Sequence, residues 1–261
     1  ARRCRDGSAV AVTGTCRRAW PVKRRASLLF AVASLFAAAA NTAPPPEFEA
    51  NYRLEQHQLR IGTARIALHT AEDSQYQYEF RSWPARWLSW FDDNSLYECS
   101  RGRLDEDGIR PEQYDYQRSG DRQRNARLTF DWDTMTVEND VADSHWKMAI
   151  EPGTVDKLAT QLGMMIALGE GRQDVIYSVA DGGSLKQYRY RVIGKETLEL
   201  PAGSFRTVKV AKTRRDIDQQ VIIWFAPELH YLPARIWRRD ADDEEYVSEL
   251  ESFSRSLWGK S

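Results

Sequence analysis

The sequence predicts a mainly β protein: an antiparallel meander forming an open or half β-barrel, with one amphipathic helix packed against it. Three observations predict it. Apolar residues alternate with polar ones at period two over most of the chain. The alternating segments are short and separated by turn residues. Only one stretch switches to helical spacing.

The alternation is clearest in "QYQYEFRSW", where Tyr76, Tyr78 and Phe80 take one parity and Gln75, Gln77, Glu79 and Arg81 the other. In "TARIALH" Ala64, Ile66 and Leu68 oppose Thr63, Arg65 and His69. Period two with aromatic and β-branched residues gives a strand with one wet and one dry face, which antiparallel sheets tolerate. The expected strands are 48–57, 61–70, 74–83, 94–104, 109–118, 122–132, 135–140 and 145–150. They continue with 174–180, 185–193, 196–200, 204–213, 220–226, 233–239 and 245–253. Asp105-Glu106-Asp107-Gly108, Ser119-Gly120-Asp121 and Asp181-Gly182-Gly183 supply turn chemistry between them. Pro201 suits a type I turn, and the acidic run 240–245 reads as a solvated hairpin tip.

"TVDKLATQLGMMIALGEG" breaks the pattern. Val155, Leu158, Ala159, Leu162, Met165 and Ile166 fall on one helical face. Thr154 is placed to cap the start, Asp156 suits the first turn, and Gly169 or Gly171 ends it. Such a helix must bury its apolar face, which predicts packing against a curved sheet.

The flanks read differently. Lys23-Arg24-Arg25 precedes an uncharged run, Ala26 to Ala40. A basic segment, a short apolar segment and a small-residue end describe a secretory signal peptide, and the run is shorter than a bilayer-spanning helix needs. Cleavage is expected after Ala40, an uncleaved anchor being the alternative. Residues 1–21 read as upstream sequence, with Val22 a candidate start. The expected organisation is 1–40 upstream segment plus signal peptide, 41–47 leader, 48–253 one β domain and 254–261 tail. The expected location is periplasmic, with no stable membrane anchor after cleavage.

Composition narrows the function. Residues 1–40 hold 8 of the 37 basic side chains and 1 of the 38 acids, so the remainder carries 29 against 37, a formal charge of −8. That disfavours nucleic acid or an anionic lipid surface as partner. Cys99 alone remains of three cysteines, which precludes an internal disulfide there and suits a half-buried strand thiol. "SHWK", Ser144 to Lys147, matches an SxxK pattern but lies in a predicted strand without partner motifs. His57, His69, His145 and His230 are scattered; no metal, cofactor or catalytic residue is expected. Asp92-Asp93 reads as an exposed acid pair.

"RSWPARWLSWFDD" concentrates aromatics. Trp83, Trp87 and Trp90 fall at i, i+4 and i+7, so a short helix opened by Pro84 would put them on one face. Burying each ring is worth about 2–3 kcal/mol. Core plug, movable lid over an apolar pocket and membrane-touching element all fit. Trp224 and Trp237 read as facing strand residues around a turn between Pro227 and Pro233.

"GTARIAL", "EPGTVDKLATQLGMMIALGEG", "LPAGSFRTVKV" and "IIWFAPELHYLPARIW", in this order, resemble domain of unknown function 3108, an uncharacterised bacterial envelope family. The resemblance spans nearly all of 48–253. It implies a secreted, periplasmic antiparallel β protein with a helix on or inside the sheet, similar in outline to lipoprotein-carrier half-barrels. It implies no catalytic residues.

The expected function is non-enzymatic binding of a lipid or other amphiphile in a barrel-like groove. Trp83, Trp87, Trp90 and Phe91 would form the lid, Tyr76, Tyr78 and Phe80 the wall, and Met164 would adapt to the ligand. The alternative is an envelope interaction or assembly protein with a solid core. A hydrolase would need a cleft uniting Ser144 or Cys99 with a histidine.

Overall fold

A computed structural model describes residues 45–71, 74–88, 94–105, 108–120, 123–142, 144–214 and 219–254. These belong to one compact unit, Ala39–Ser261. The expected signal segment and cleavage point, Trp90, Phe91, Asp92 and Asp93 lie outside the described residues.

The first half of the meander runs β1 (Phe48–Gln56), β2 (Leu59–Thr70), β3 (Gln75–Pro84), β4 (Leu96–Asp105), β5 (Gly108–Arg118), β6 (Arg124–Asp131), β7 (Thr136–Val141) and β8 (Ser144–Ala149). A two-residue strand β9 (Val155–Asp156) and the helix α1 (Ala159–Gly169) follow. The second half is β10 (Asp174–Asp181), β11 (Ser184–Leu200), β12 (Gly203–Arg214), β13 (Gln220–Ala226), β14 (Leu232–Arg239) and β15 (Glu245–Phe253). All fifteen strands form one sheet with two ends, β8 at one and β9 at the other. The seam at its centre is the antiparallel pair of β1 and β15. Among the described residues the fold is mainly β, an open barrel-like sheet with one α-helix.

Alternation works as expected. Ala64, Ile66 and Leu68 pair in register with Ser82, Phe80 and Tyr78, which pair in turn with Leu96, Glu98 and Ser100 of β4. These side chains share the concave face. Tyr52 sits there too and donates to the Pro233 carbonyl at 2.8 Å. Each such large buried side chain contributes about 1.5–3 kcal/mol. The convex face carries charge: Arg53 and Arg235 converge on Glu249, and Arg101 and Arg127 on Asp115.

Turns follow their residues. Gly182 and Gly183 have φ of +63° and +79°, the two left-handed positions that a two-residue hairpin turn requires. The tip after Arg239 is closed by Asp240 accepting from Asp243 N and donating to Glu244 O. Expected strands 185–193 and 196–200 are one strand, β11. A register shift between Val192 and Gly194 inserts an extra residue, Ile193, which bends the strand without ending it.

The helix departs from expectation in two ways. Val155 and Asp156 form β9, parallel to β10, so α1 begins at Ala159 rather than beside Thr154. Asp156 does the capping: its Oδ1 accepts from Leu158 N at 2.9 Å and Ala159 N at 2.8 Å. Thr154 instead accepts from Glu151 N. Second, α1 is buried on more than one face, Ala159, Leu162, Gly163, Met164, Met165, Ala167 and Leu168 all being covered. The reason is enclosure. The segment runs between β8 and β10, lies against β5 and bonds to Ser100 of β4, so the sheet wraps around it. Its end follows the expectation for Gly171, with φ of +80°. Arg172 N reaches Ala167 O and Gly171 N reaches Leu168 O, a Schellman closure.

Pro84 ends β3 and opens no helix through residue 88. Residues 86–88 are a turn, closed by Leu88 N to Ala85 O. Trp224 and Trp237 share the convex face but pair with Arg235 and Ile222, one step off facing each other.

Candidate functional site

Inside the curved sheet, beside the start of α1, lies an open cleft of about 170 Å³. Ile66, Phe80, Leu158, Val221, Ile223 and Ile236 make its apolar wall, and Glu98, Lys157, Gln161 and Lys212 its polar end. Strand parity places them. Phe80 neighbours Ile66 on one side and Glu98 on the other. Across the interior, Val221 pairs with Lys212 and Lys212 with Tyr190. Lys157 comes from the link between β9 and α1, whose position Asp156 fixes.

The polar end is an ordered network. Glu98 accepts from the Tyr114 hydroxyl at 2.7 Å and meets Lys157 Nζ at 3.4 Å. Tyr78 donates to Gln161 Oε1 at 2.6 Å, and Thr160 and Tyr190 share a 2.7 Å hydroxyl contact. Lys212 Nζ lies 4.4 Å from the Tyr188 ring centre and 5.5 Å from that of Tyr190. Both lysines retain accessible area although protein surrounds them, as side chains lining a cavity do.

The two ammonium groups are tuned in opposite directions. Burial, then the charge of Lys157, pushes Lys212 down to about 7, against the pull of Glu98. Burial acts downward on Lys157 too, but Glu98 and Asp181 outweigh it and its net shift is upward. Asp156, fully buried, is raised to about 6 by burial, opposed by Ser100 and the Ala159 and Leu158 amides. A second, half-buried acid, Asp181, accepts from Tyr188 at 2.8 Å and faces Lys186 and Arg214 at 3.3 and 3.4 Å.

The aromatic residues divide. Phe80 lines the cleft; Tyr76 and Tyr78 lie behind it on the same face, buried. Met164 is fully buried in the core and does not reach the cleft. Trp83 has the opposite parity on β3, is 43% exposed, and borders a separate cleft with Tyr97 and Gln117. Trp87 is 56% exposed and donates to the Arg60 carbonyl at 3.3 Å. Trp83 and Trp87 therefore do not cover the wall formed by Tyr76, Tyr78 and Phe80. The lysines, Glu98 and Gln161 were not singled out from sequence, although a signal existed. Lys212 shares the inward parity of Val210, and Glu98 that of Leu96 and Ser100, so each is a charge in an apolar register.

Among the described residues, no hydrogen bond joins Ser144 or Cys99 to a histidine. Ser144 and Lys147 sit at opposite parities of β8 and face opposite sides. His145 bonds Asp140 at 2.6 Å. Cys99 lies on the convex-side parity, in register with Glu79 and Asp115, and burial raises its thiol.

A curved, open antiparallel sheet enclosing a helix and a small apolar cleft defines a barrel-like domain. The chain belongs to the family described as protein of unknown function (DUF3108), whose model matches residues 47–251. Among solved structures it is similar to a β-barrel-like protein of domain of unknown function DUF1849 from Brucella abortus. The TM-score is 0.56 at 9% identity, over 81% of this chain and 98% of that one. A protein of YmcC-like fold from Bacteroides fragilis aligns at TM-score 0.36 and 11% identity, covering 81% and 97%. Comparison with curated proteins gave no match.

Proposed function

We propose that this is a non-enzymatic periplasmic protein that holds an amphiphile in the interior cleft. The observation that carries the reading is the cleft's composition: a continuous apolar wall from β2, β3, β13 and β14 that ends on a few fixed polar groups. Ligand sites combine apolar lining with a small number of placed polar groups in this way, and curved sheets hold such ligands in their mouths. An interior that keeps open volume supports this over an assembly protein with a solid core. The periplasmic address rests on the basic-apolar-small pattern of residues 23–40.

The test is native mass spectrometry of the protein, expressed as the full chain and recovered from a periplasmic extract without detergent, before and after solvent extraction. A stoichiometric lipid or amphiphile that is absent from Ile236→Trp, which fills the cleft, is the expected result. A clean unliganded mass that stays unliganded on incubation with envelope lipids would overturn it. Amino-terminal sequencing of the same sample should begin at Asn41.

A further inference from the structure

We propose that the ligand is an anionic amphiphile whose single oxyanion head group, carboxylate or phosphate, docks on the Lys212 ammonium with Lys157 beside it. The inference rests on the binding reading above and goes on to the chemistry of the head group.

Charge accounting across the concave face carries it. Among the described residues, Lys157, Lys186, Lys212 and Arg214 are set here against Glu98 and Asp181. Asp156 is occupied by Ser100 and two helix amides. The other cations have carboxylates: Lys157 has Glu98 at 3.4 Å, and Lys186 and Arg214 share Asp181. Lys212 has none. Among the described residues its ammonium meets only the faces of Tyr188 and Tyr190. Ring faces attract a cation but accept no strong hydrogen bond, so its donors are left to whatever enters the open cleft. An enclosed charge without a counter-ion is costly, and an incoming oxyanion removes that cost.

The surroundings exclude the other head groups. A cationic amphiphile would meet two ammonium groups, and the one nearby carboxylate, Glu98, is already held by Tyr114 and Lys157. A neutral alcohol would leave Lys212 uncompensated. Gln161, with its Oε1 engaged by Tyr78, keeps its amide NH₂ as a further donor in the cleft wall. About 170 Å³ equals roughly six waters, room for a head group and the first part of an alkyl chain, and the open mouth lets the rest extend.

Isothermal titration calorimetry with four ten-carbon probes below their micellar concentrations tests this: decanoate, decyl phosphate, decanol and decylammonium. Inorganic phosphate is titrated alongside. Decanoate or decyl phosphate should bind about 10- to 100-fold tighter than decanol, the range expected of hydrogen bonds to a charged group, and decylammonium weakest. Lys212→Met should remove that preference, bringing decanoate and decyl phosphate to the affinity of decanol. Inorganic phosphate binding as tightly as decyl phosphate would overturn the amphiphile in favour of a free oxyanion. Decanol equal to decanoate on the wild-type protein would overturn the charge inference and leave the binding reading standing. No binding of any alkyl probe would remove both.

Discussion

Asp156 offers the sharpest test of the interior. Its carboxylate is fully buried, caps α1 through Leu158 N and Ala159 N, and accepts from Ser100 Oγ at 2.5 Å. Burial raises it from 3.8 to about 6. A carboxyl raised on folding binds its proton more tightly in the native state. Its contribution is therefore fully present below the unfolded pKa near 4 and lost as pH rises through 6. Each unit is worth about 1.4 kcal/mol, so the loss between pH 4 and pH 8 amounts to about 2.5 kcal/mol. Asp156→Asn keeps the accepting oxygen for both amides and cannot ionise. Relative to wild type, it should therefore gain about 2.5 kcal/mol between those pH values, a large share of the 5–15 kcal/mol typical of a domain. Guanidinium unfolding of both proteins at pH 4 and pH 8 measures the difference of differences. A stability gap that is the same at both pH values would refute the burial of an ionisable carboxyl here. Asp156→Ala at pH 4 separates the capping role and should cost about 2–4 kcal/mol by stranding two buried amides.

Two other substitutions probe the ends of the sheet and the aromatic stretch. Gly183→Ala forces a left-handed residue to carry a Cβ, at about 1–2 kcal/mol, and sets that atom 2.7 Å from the Trp146 ring of β8. Denaturant unfolding should show the loss, and in a Trp146→Ala background the loss should shrink to the backbone part alone. Trp87→Ala removes a mostly exposed ring and one 3.3 Å hydrogen bond, so it should cost under about 1 kcal/mol. It should also leave decanoate affinity within threefold by calorimetry; a larger loss would mean that Trp87 covers the cleft.

What the sequence made legible was the strand pattern, because one buried face imposes period two on each strand, as in Tyr76, Tyr78 and Phe80. It obscured features decided by distant contacts. Val155 and Asp156 carry helix-compatible spacing, yet pairing with Val179 and Ala180 makes them a strand. Ile193 looks like the end of one strand because a bulge and a break leave the same local trace. The tryptophan spacing suggested one helical face, but Trp83 belongs to β3 and its parity turns it outward. The candidate site was half visible: Phe80 could be read from alternation, whereas Lys212 and Glu98 needed the two halves of the sheet folded across one another before their charges met.

The central seam has a consequence for biogenesis. Most neighbouring strands are joined by hairpins and can pair as they emerge, but β1 must wait for β15: Asn51 bonds Ser252 across 201 positions of chain. Until β15 is delivered, Phe48, Ala50 and Tyr52 lack half of their cover, and both half-sheets end in an unpaired edge. Closing so distant a contact is entropically slow, and exposed strand edges invite self-association. The chain thus commits to its native state only once β15 has been made, which makes the interval before β15 arrives its most aggregation-prone one. A chaperone that shields β1 in that interval would raise yield without altering final stability.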